Sequence, residues 1–203
     1  MRNQKGKLFV VSAPSGAGKT TLCNRLLGRF DTIGYSVSYT TRTPRHEETD
    51  TEDYYFVSEE EFKAMLDAGD FLEWAKVHNN YYGTSKSKVE EILSAGRDVL
   101  LDIDPKGARQ LREQLDYGIY IFITAPSMND LRTRLINRRT ESEEIMKVRL
   151  DNAREEIKHF HEYDYVIVNN EINRATNELE AVYVAEHLRA DRLDSIEDIM
   201  EVD

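Results

Sequence analysis

The segment Ala13–Thr21, APSGAGKTT, constrains this chain more than any other. It follows the apolar run LFVV (Leu8–Val11) and opens a stretch, Lys19–Arg29, whose Leu22, Leu26 and Leu27 share one helical face. A glycine-containing loop between a strand and a helix presents backbone N–H groups to an anion, and the helix N-terminus adds partial positive charge. Gly16 and Gly18 let those N–H groups turn inward. Ala13, Pro14, Ser15, Gly16, Ala17, Gly18, Lys19, Thr20 and Thr21 are therefore expected to wrap a nucleoside triphosphate. Lys19 reaches the β- and γ-phosphates, and the Thr20 hydroxyl is suited to ligate Mg²⁺. The usual pattern begins with glycine; here that position is Ala13, so the turn must accommodate a methyl group.

Beyond the loop, apolar strands alternate with helices, which predicts an α/β fold with a mostly parallel sheet flanked by helices. The strands are Asp98–Ile103, Gly118–Thr124 and Tyr165–Val168, apolar on both faces as strands between helix layers must be. Helices are expected over about Pro105–Leu115, Ser127–Asn137, Ser142–Phe160 and Asn173–Leu188. The stretch Tyr35–Tyr82 breaks this rhythm. Its short alternating segments, YSVSYTTRT and DYYFV, precede a helix over Ser58–Leu66 that opens with a capping box, Ser58 and Glu61. It reads as a small mixed subdomain inserted in the core. A chain of 203 residues then forms one domain. Its core covers about 1–34, 84–126 and 157–190, the inserted subdomain about 35–83, a helical stretch about 127–156 and an acidic tail 191–203.

The net charge of −11 denies the chain the general attraction that drives nucleic-acid binding, so any bound anion must meet local positive charge. Arginines cluster at Arg42–Arg45 and from Arg132 to Arg149. No apolar run approaches the roughly 20 residues that span a bilayer. Cys23 is the only cysteine, which points to a reducing cytoplasm. His159 and His161 lack a second ligand cluster and read as a solvated helix end, not a metal site.

In TTRTPR, Arg42 and Arg45 flank Pro44 and form a fork for a phosphate dianion, with Tyr54 and Tyr82 as hydroxyl donors. With SYTTRTPR, the blocks DYYFVS, FLEWAKVHNNYYGT and LLDIDPKGARQ follow the loop in order, and together they resemble guanylate kinases of the bacterial type, from about Lys7 to Leu188. The resemblance implies a P-loop NTPase-type core, an inserted GMP-binding subdomain at about 35–83 and a helical lid at about 127–156. It implies transfer of the γ-phosphate of ATP to GMP or dGMP with Mg²⁺, giving ADP and GDP, for GTP/dGTP supply and GMP recycling.

By the same resemblance, Arg42, Arg45, Tyr54 and Tyr82 grip the acceptor phosphate, and Ser38, Glu73, Thr84 and Asp102 read guanine. The chemistry agrees: guanine offers N1–H and an amine as adjacent donors, which one carboxylate accepts together. Alternation along LLDID puts Asp102 and Asp104 on one side of a strand end, and Asp104 suits Mg²⁺ binding through water. Arg134, Arg138 and Arg149 are implied to converge on the transferred phosphoryl group with Lys19, and Asn169 to lie near adenine. A phosphate oxygen is already a nucleophile, so no general base is needed.

The chain departs from the family pattern at Arg139, Glu47 and Thr51, where glycine is usual, and at Lys106, where glutamine is usual. Two other readings stay in view. One is a small-molecule kinase for a phosphorylated sugar, which would not need Glu73. The other is a silent protein-binding module, which would lack the loop or the lid arginines. A homo-oligomer is compatible with the sequence.

Overall fold

The structure, a computed structural model, describes residues 5–44, 48–51, 54–77, 79–137 and 143–190. Five strands form the central sheet: β1 (Leu8–Ser12), β2 (Ile33–Tyr35), β7 (Asp98–Asp102), β8 (Ile119–Thr124) and β9 (Tyr165–Val168). Their order is β2-β7-β1-β8-β9 and every pairing is parallel.

Both faces are covered, as the apolar runs require. Phe9 and Val11 of β1 point to one side with Leu100, Ile121 and Ile167. There they meet Leu22 and Leu26 of α1 (Lys19–Leu27) and Leu179 and Tyr183 of α7 (Ile172–His187). Leu8 and Val10 point to the other side with Val99 and Leu101. They pack on Val89 and Leu93 of α3 (Lys86–Ser94) and Ala108 and Leu111 of α4 (Pro105–Gln114). The two-residue period of a strand thus splits one hydrophobic run between two cores.

The inserted segment carries its own sheet. Strands β3 (Tyr39–Thr40), β4 (Tyr55–Phe56), β5 (Phe71–Val77) and β6 (Asn80–Ser85) lie in the order β4-β3-β6-β5. Helix α2 (Glu59–Asp67) starts as predicted: Ser58 Oγ accepts from the Glu61 N–H at 3.1 Å, and the Glu61 carboxylate accepts from the Ser58 N–H at 2.8 Å. Helices α5 (Met128–Asn137) and α6 (Glu143–Ile157) pack on each other.

Several boundaries differ from the sequence reading. The helix expected over Ser142–Phe160 ends at Ile157 and passes into a 3₁₀ turn, Phe160–Glu162. Ser142 lies outside the described residues, as does the acidic tail from Asp191. His159 Nδ1 bonds the Glu162 carboxylate across this turn at 2.7 Å. Strand β2 and helix α3 were not anticipated. Among the described residues no helix is long and apolar enough to cross a membrane.

Candidate active site

The candidate residues gather at the carboxyl ends of β1 and β7, where open α/β sheets bind ligands. The loop leaves β1 at Ser12 and enters α1 at Lys19. Gly16 and Gly18 take φ values of 88° and 97°, a left-handed region that side chains with a Cβ avoid. Gly18 is the N-cap of α1 and no side chain caps the helix, so its first N–H groups face the loop concavity. A cavity of about 190 Å³ lies there, lined by Ala13, Pro14, Ser15, Gly16, Gly18, Lys19, Thr20 and Thr21. The Ala13 methyl is buried in the core on the α1 side of the sheet, which is why the loop tolerates it.

A second set of contacts holds the loop at the Ala17 carbonyl. The Asn169 side-chain amide donates to the Ala17 carbonyl at 2.8 Å, and the Arg134 guanidinium donates to the same carbonyl at 3.3 Å. Arg134 also donates to the Asn169 carbonyl at 2.7 Å. Asn169 Nδ2 lies 2.4 Å from where a Cβ on Gly18 would stand. Arg134, Asn169, Gly18 and Thr21 line a cleft of about 320 Å³. Arg149 borders another cavity, about 370 Å³, with Ser15, Asn152 and Glu156. Arg45, Glu47, Arg138 and Arg139 lie outside the described residues.

Lys19 is ion-paired with Asp102 at the end of β7 and donates to the Ile103 carbonyl at 2.9 Å. Asp104, two residues on, is the N-cap of α4: Oδ1 accepts from the Gly107 N–H at 2.7 Å. Lys106 is exposed in the first turn of α4, and its charge tempers the pKa of Glu156. Burial, helped by the Asp104 charge, still lifts the Glu156 carboxyl to about 7.

Glu73 on β5 is buried, and Thr84 Oγ1 of β6 donates to its Oε1 at 2.5 Å. A Cβ on Gly107 would stand 2.6 Å from Glu73 Oε2, so only glycine admits the carboxylate to the start of α4. Burial and, next in size among the raising causes, the Asp104 charge push Glu73 up to about 7, against the Thr84 hydrogen bond and Lys19. The Trp74 N–H donates to the Gln110 side chain at 3.1 Å, tying β5 to α4. Ser38 is half-buried, and its carbonyl accepts from the Tyr55 N–H at 2.9 Å.

Arg42 follows β3. The rings of Tyr54 and Tyr82 meet edge to face at 6.0 Å, and the Arg42 guanidinium lies 5.5 Å from the Tyr54 ring centre. Thr51, in the turn before Tyr54, takes φ 70°. Two groups escaped the sequence reading. Glu48, hidden in an acid-rich run, bonds Arg42; Glu156 sits on a helix face whose spacing from Arg149 was its only signal.

Thr20 is exposed at the start of α1. Among the described residues no cluster of His, Cys, Asp or Glu forms a metal cage. One hydroxyl with nearby carboxylates is the donor set that suits a Mg²⁺ ion keeping most of its water. A larger cavity, about 700 Å³, lies at the opposite end of the sheet, where Lys7 and Tyr165 are paired with Glu186.

Comparison with known proteins gives a consistent result. A family model described as guanylate kinase matches residues 5–186. The guanylate kinase of Geobacter sulfurreducens is 49% identical over 201 residues, covering 98% of this chain and 99% of that protein. That of Clostridium tetani is 47% identical over 194 residues, covering 95% and 93%. The crystal structure of guanylate kinase from Anaplasma phagocytophilum superposes with a TM-score of 0.76 at 34% identity, covering 96% of this chain and 93% of that one.

Proposed function

We infer the activity from one premise: this chain belongs to the guanylate kinase family. It transfers the γ-phosphate of ATP to GMP, giving ADP and GDP. The observation that carries this reading is the buried Glu73 carboxylate, bonded to Thr84 and set against the start of α4 on the same sheet end as the phosphate loop. A base-reading carboxylate beside a triphosphate loop suits a two-nucleotide site.

In this reading the chain works as two phosphate grips and one base reader. Residues 13–21 cradle the ATP phosphates through backbone N–H groups, and Lys19 neutralises the β- and γ-phosphates. Arg42, Arg45, Tyr54 and Tyr82 hold the GMP phosphate. Glu73, with Ser38, Thr84 and Asp102, accepts and donates along the guanine edge. A site built on such bonds rejects adenine strongly, because mismatched polar groups stay unpaired. Arg134, Arg138 and Arg149 add positive charge around the transferred group, and the Arg134–Asn169 pair borders the space for adenine.

Thr20, and Asp104 through water, would hold Mg²⁺, which would supply charge neutralisation for the transferred phosphate. Residues 35–83 act as the GMP-binding subdomain and 127–156 as a lid on a core of 1–34, 84–126 and 157–190. Their closure excludes water and limits ATP hydrolysis. The substrates are small molecules, GMP or dGMP and ATP, and a cytoplasmic setting suits a chain whose one cysteine, Cys23, is free and buried.

A coupled assay for ADP formation across GMP, AMP, CMP and UMP tests the reading. GMP is expected to be used well above the others; equal use of all four, or use of none, would overturn it.

A further inference from the structure

Arg42 is held from several sides. Its Nη1 donates to the Thr43 carbonyl at 2.8 Å and its Nη2 to Glu48 Oε1 at 2.9 Å. The guanidinium lies over Tyr54 and, at 5.9 Å, over Phe56. Only 14% of the Arg42 side chain and 17% of the Glu48 side chain reach water, so this is a mostly desolvated pair and not a surface one. Burial alone would lower the Arg42 pKa; hydrogen bonds to Glu48 and Tyr82 hold it above its ordinary value.

The local fold exists to close this clamp. The Arg42 N–H donates to Thr40 Oγ1 at 3.2 Å, fixing where the chain leaves β3. The Thr51 N–H donates to the Tyr54 carbonyl at 2.8 Å, and Asp50 Oδ1 accepts from the Phe56 N–H at 3.1 Å. Glu48 and the rings of Tyr54 and Phe56 thus all meet the one guanidinium. A carboxylate in a site for a phosphate dianion is unfavourable by charge alone. Its benefit is orientation: a guanidinium has five N–H donors on a flexible stem, and fixing two of them aims the rest.

We propose that Glu48 is a positioning residue for the acceptor phosphate, aiming the remaining N–H groups of Arg42 at the space bounded by Tyr54 and Tyr82. This rests on the guanylate kinase reading. Glu48 touches no reacting atom and acts through Arg42.

The test compares wild type, Glu48→Gln and Glu48→Ala in steady-state kinetics and in calorimetric binding of GMP and guanosine, with melting temperatures for each. Glu48→Ala is expected to raise the GMP KM roughly tenfold, the loss of one charge-assisted bond, with the ATP KM and guanosine affinity kept within about twofold. Glu48→Gln, isosteric and still an acceptor, is expected to recover part of the loss, and it carries the test if the alanine variant does not fold. An unchanged or lowered GMP KM overturns the proposal, since the carboxylate would then be idle or a competitor. Equal weakening of GMP and guanosine overturns it too, since that marks general damage to the subdomain. If the wild type itself does not prefer GMP, the functional reading falls first and this proposal with it.

Discussion

Lys19 and Asp102 form an ion pair between the start of α1 and the end of β7. The lysine proposed for the donor phosphates is therefore held by a carboxylate proposed for the acceptor base. Both side chains are below one-fifth exposed, so the attraction is only partly screened. Entry of a triphosphate has to draw Lys19 away from Asp102 and from the Ile103 carbonyl.

Asp102→Asn removes the competitor while keeping its shape. Triphosphate binding is expected to tighten by about fivefold, on the order of 1 kcal/mol. GMP turnover is expected to fall roughly tenfold or more, since the same side chain is the one proposed to serve the acceptor. Binding of a fluorescent ATP analogue and the GMP KM of one preparation check both signs together.

The Glu73 carboxyl has a pKa near 7 in the folded chain against an ordinary 4.5, raised by burial and then by Asp104. A group with a raised folded pKa contributes stability below its unfolded pKa and loses it as the pH rises through 7. The guanine recognition proposed for Glu73 needs the opposite form, because only the unprotonated carboxylate accepts from both guanine donors. The GMP KM is thus expected to rise as the pH falls below about 7, approaching tenfold per unit. Glu156 also sits near 7, so Glu156→Gln serves as the control that keeps the trend, whereas Glu73→Gln abolishes it at the cost of GMP affinity. GMP and ATP KM values from pH 5.5 to 8.5, as assay conditions of about that span, separate the two carboxyls.

Thr51 is β-branched and holds φ 70°, a conformation costly for such a residue. It is exposed, so no packing is lost by truncating it. Thr51→Gly is expected to stabilise the chain by about 0.5–1 kcal/mol, the relief of strain less the entropy glycine adds to the unfolded chain. For a chain of this size that is a rise of about 1–4 °C in melting temperature, read by calorimetry. The GMP KM is expected to stay the same, because Tyr54 keeps its bond to the turn.

What the sequence revealed follows physical logic. The phosphate loop and the strands β1, β7, β8 and β9 are written as continuous local patterns, and Ser58 with Glu61 marks the start of α2. Strand β2 has only three residues, and its pairing with β7 is what makes it a strand. In α3, only Val89 and Leu93 are buried, too thin an apolar stripe to stand out beside the inserted segment. Helix α6 ends before its pattern predicts because its end is set by the 3₁₀ turn around His159 and Glu162, not by a glycine or proline. Within the site, Lys19, Glu73 and Arg42 were legible as residue types in a pattern. Their partners, Asp102 for Lys19 and Glu48 for Arg42, are products of three-dimensional closure.

The phosphate loop is supported from 152 residues away, because the amide that braces Ala17 and fills the space over Gly18 belongs to Asn169. Its shape is thus completed by the residue that follows the last strand of the sheet. A growing chain that has made residues 13–21 but not β9 carries the motif without its brace. A nucleotide that needs the braced loop therefore also needs β9 seated on β8, which ties occupancy of the loop to the whole sheet and not to a local motif.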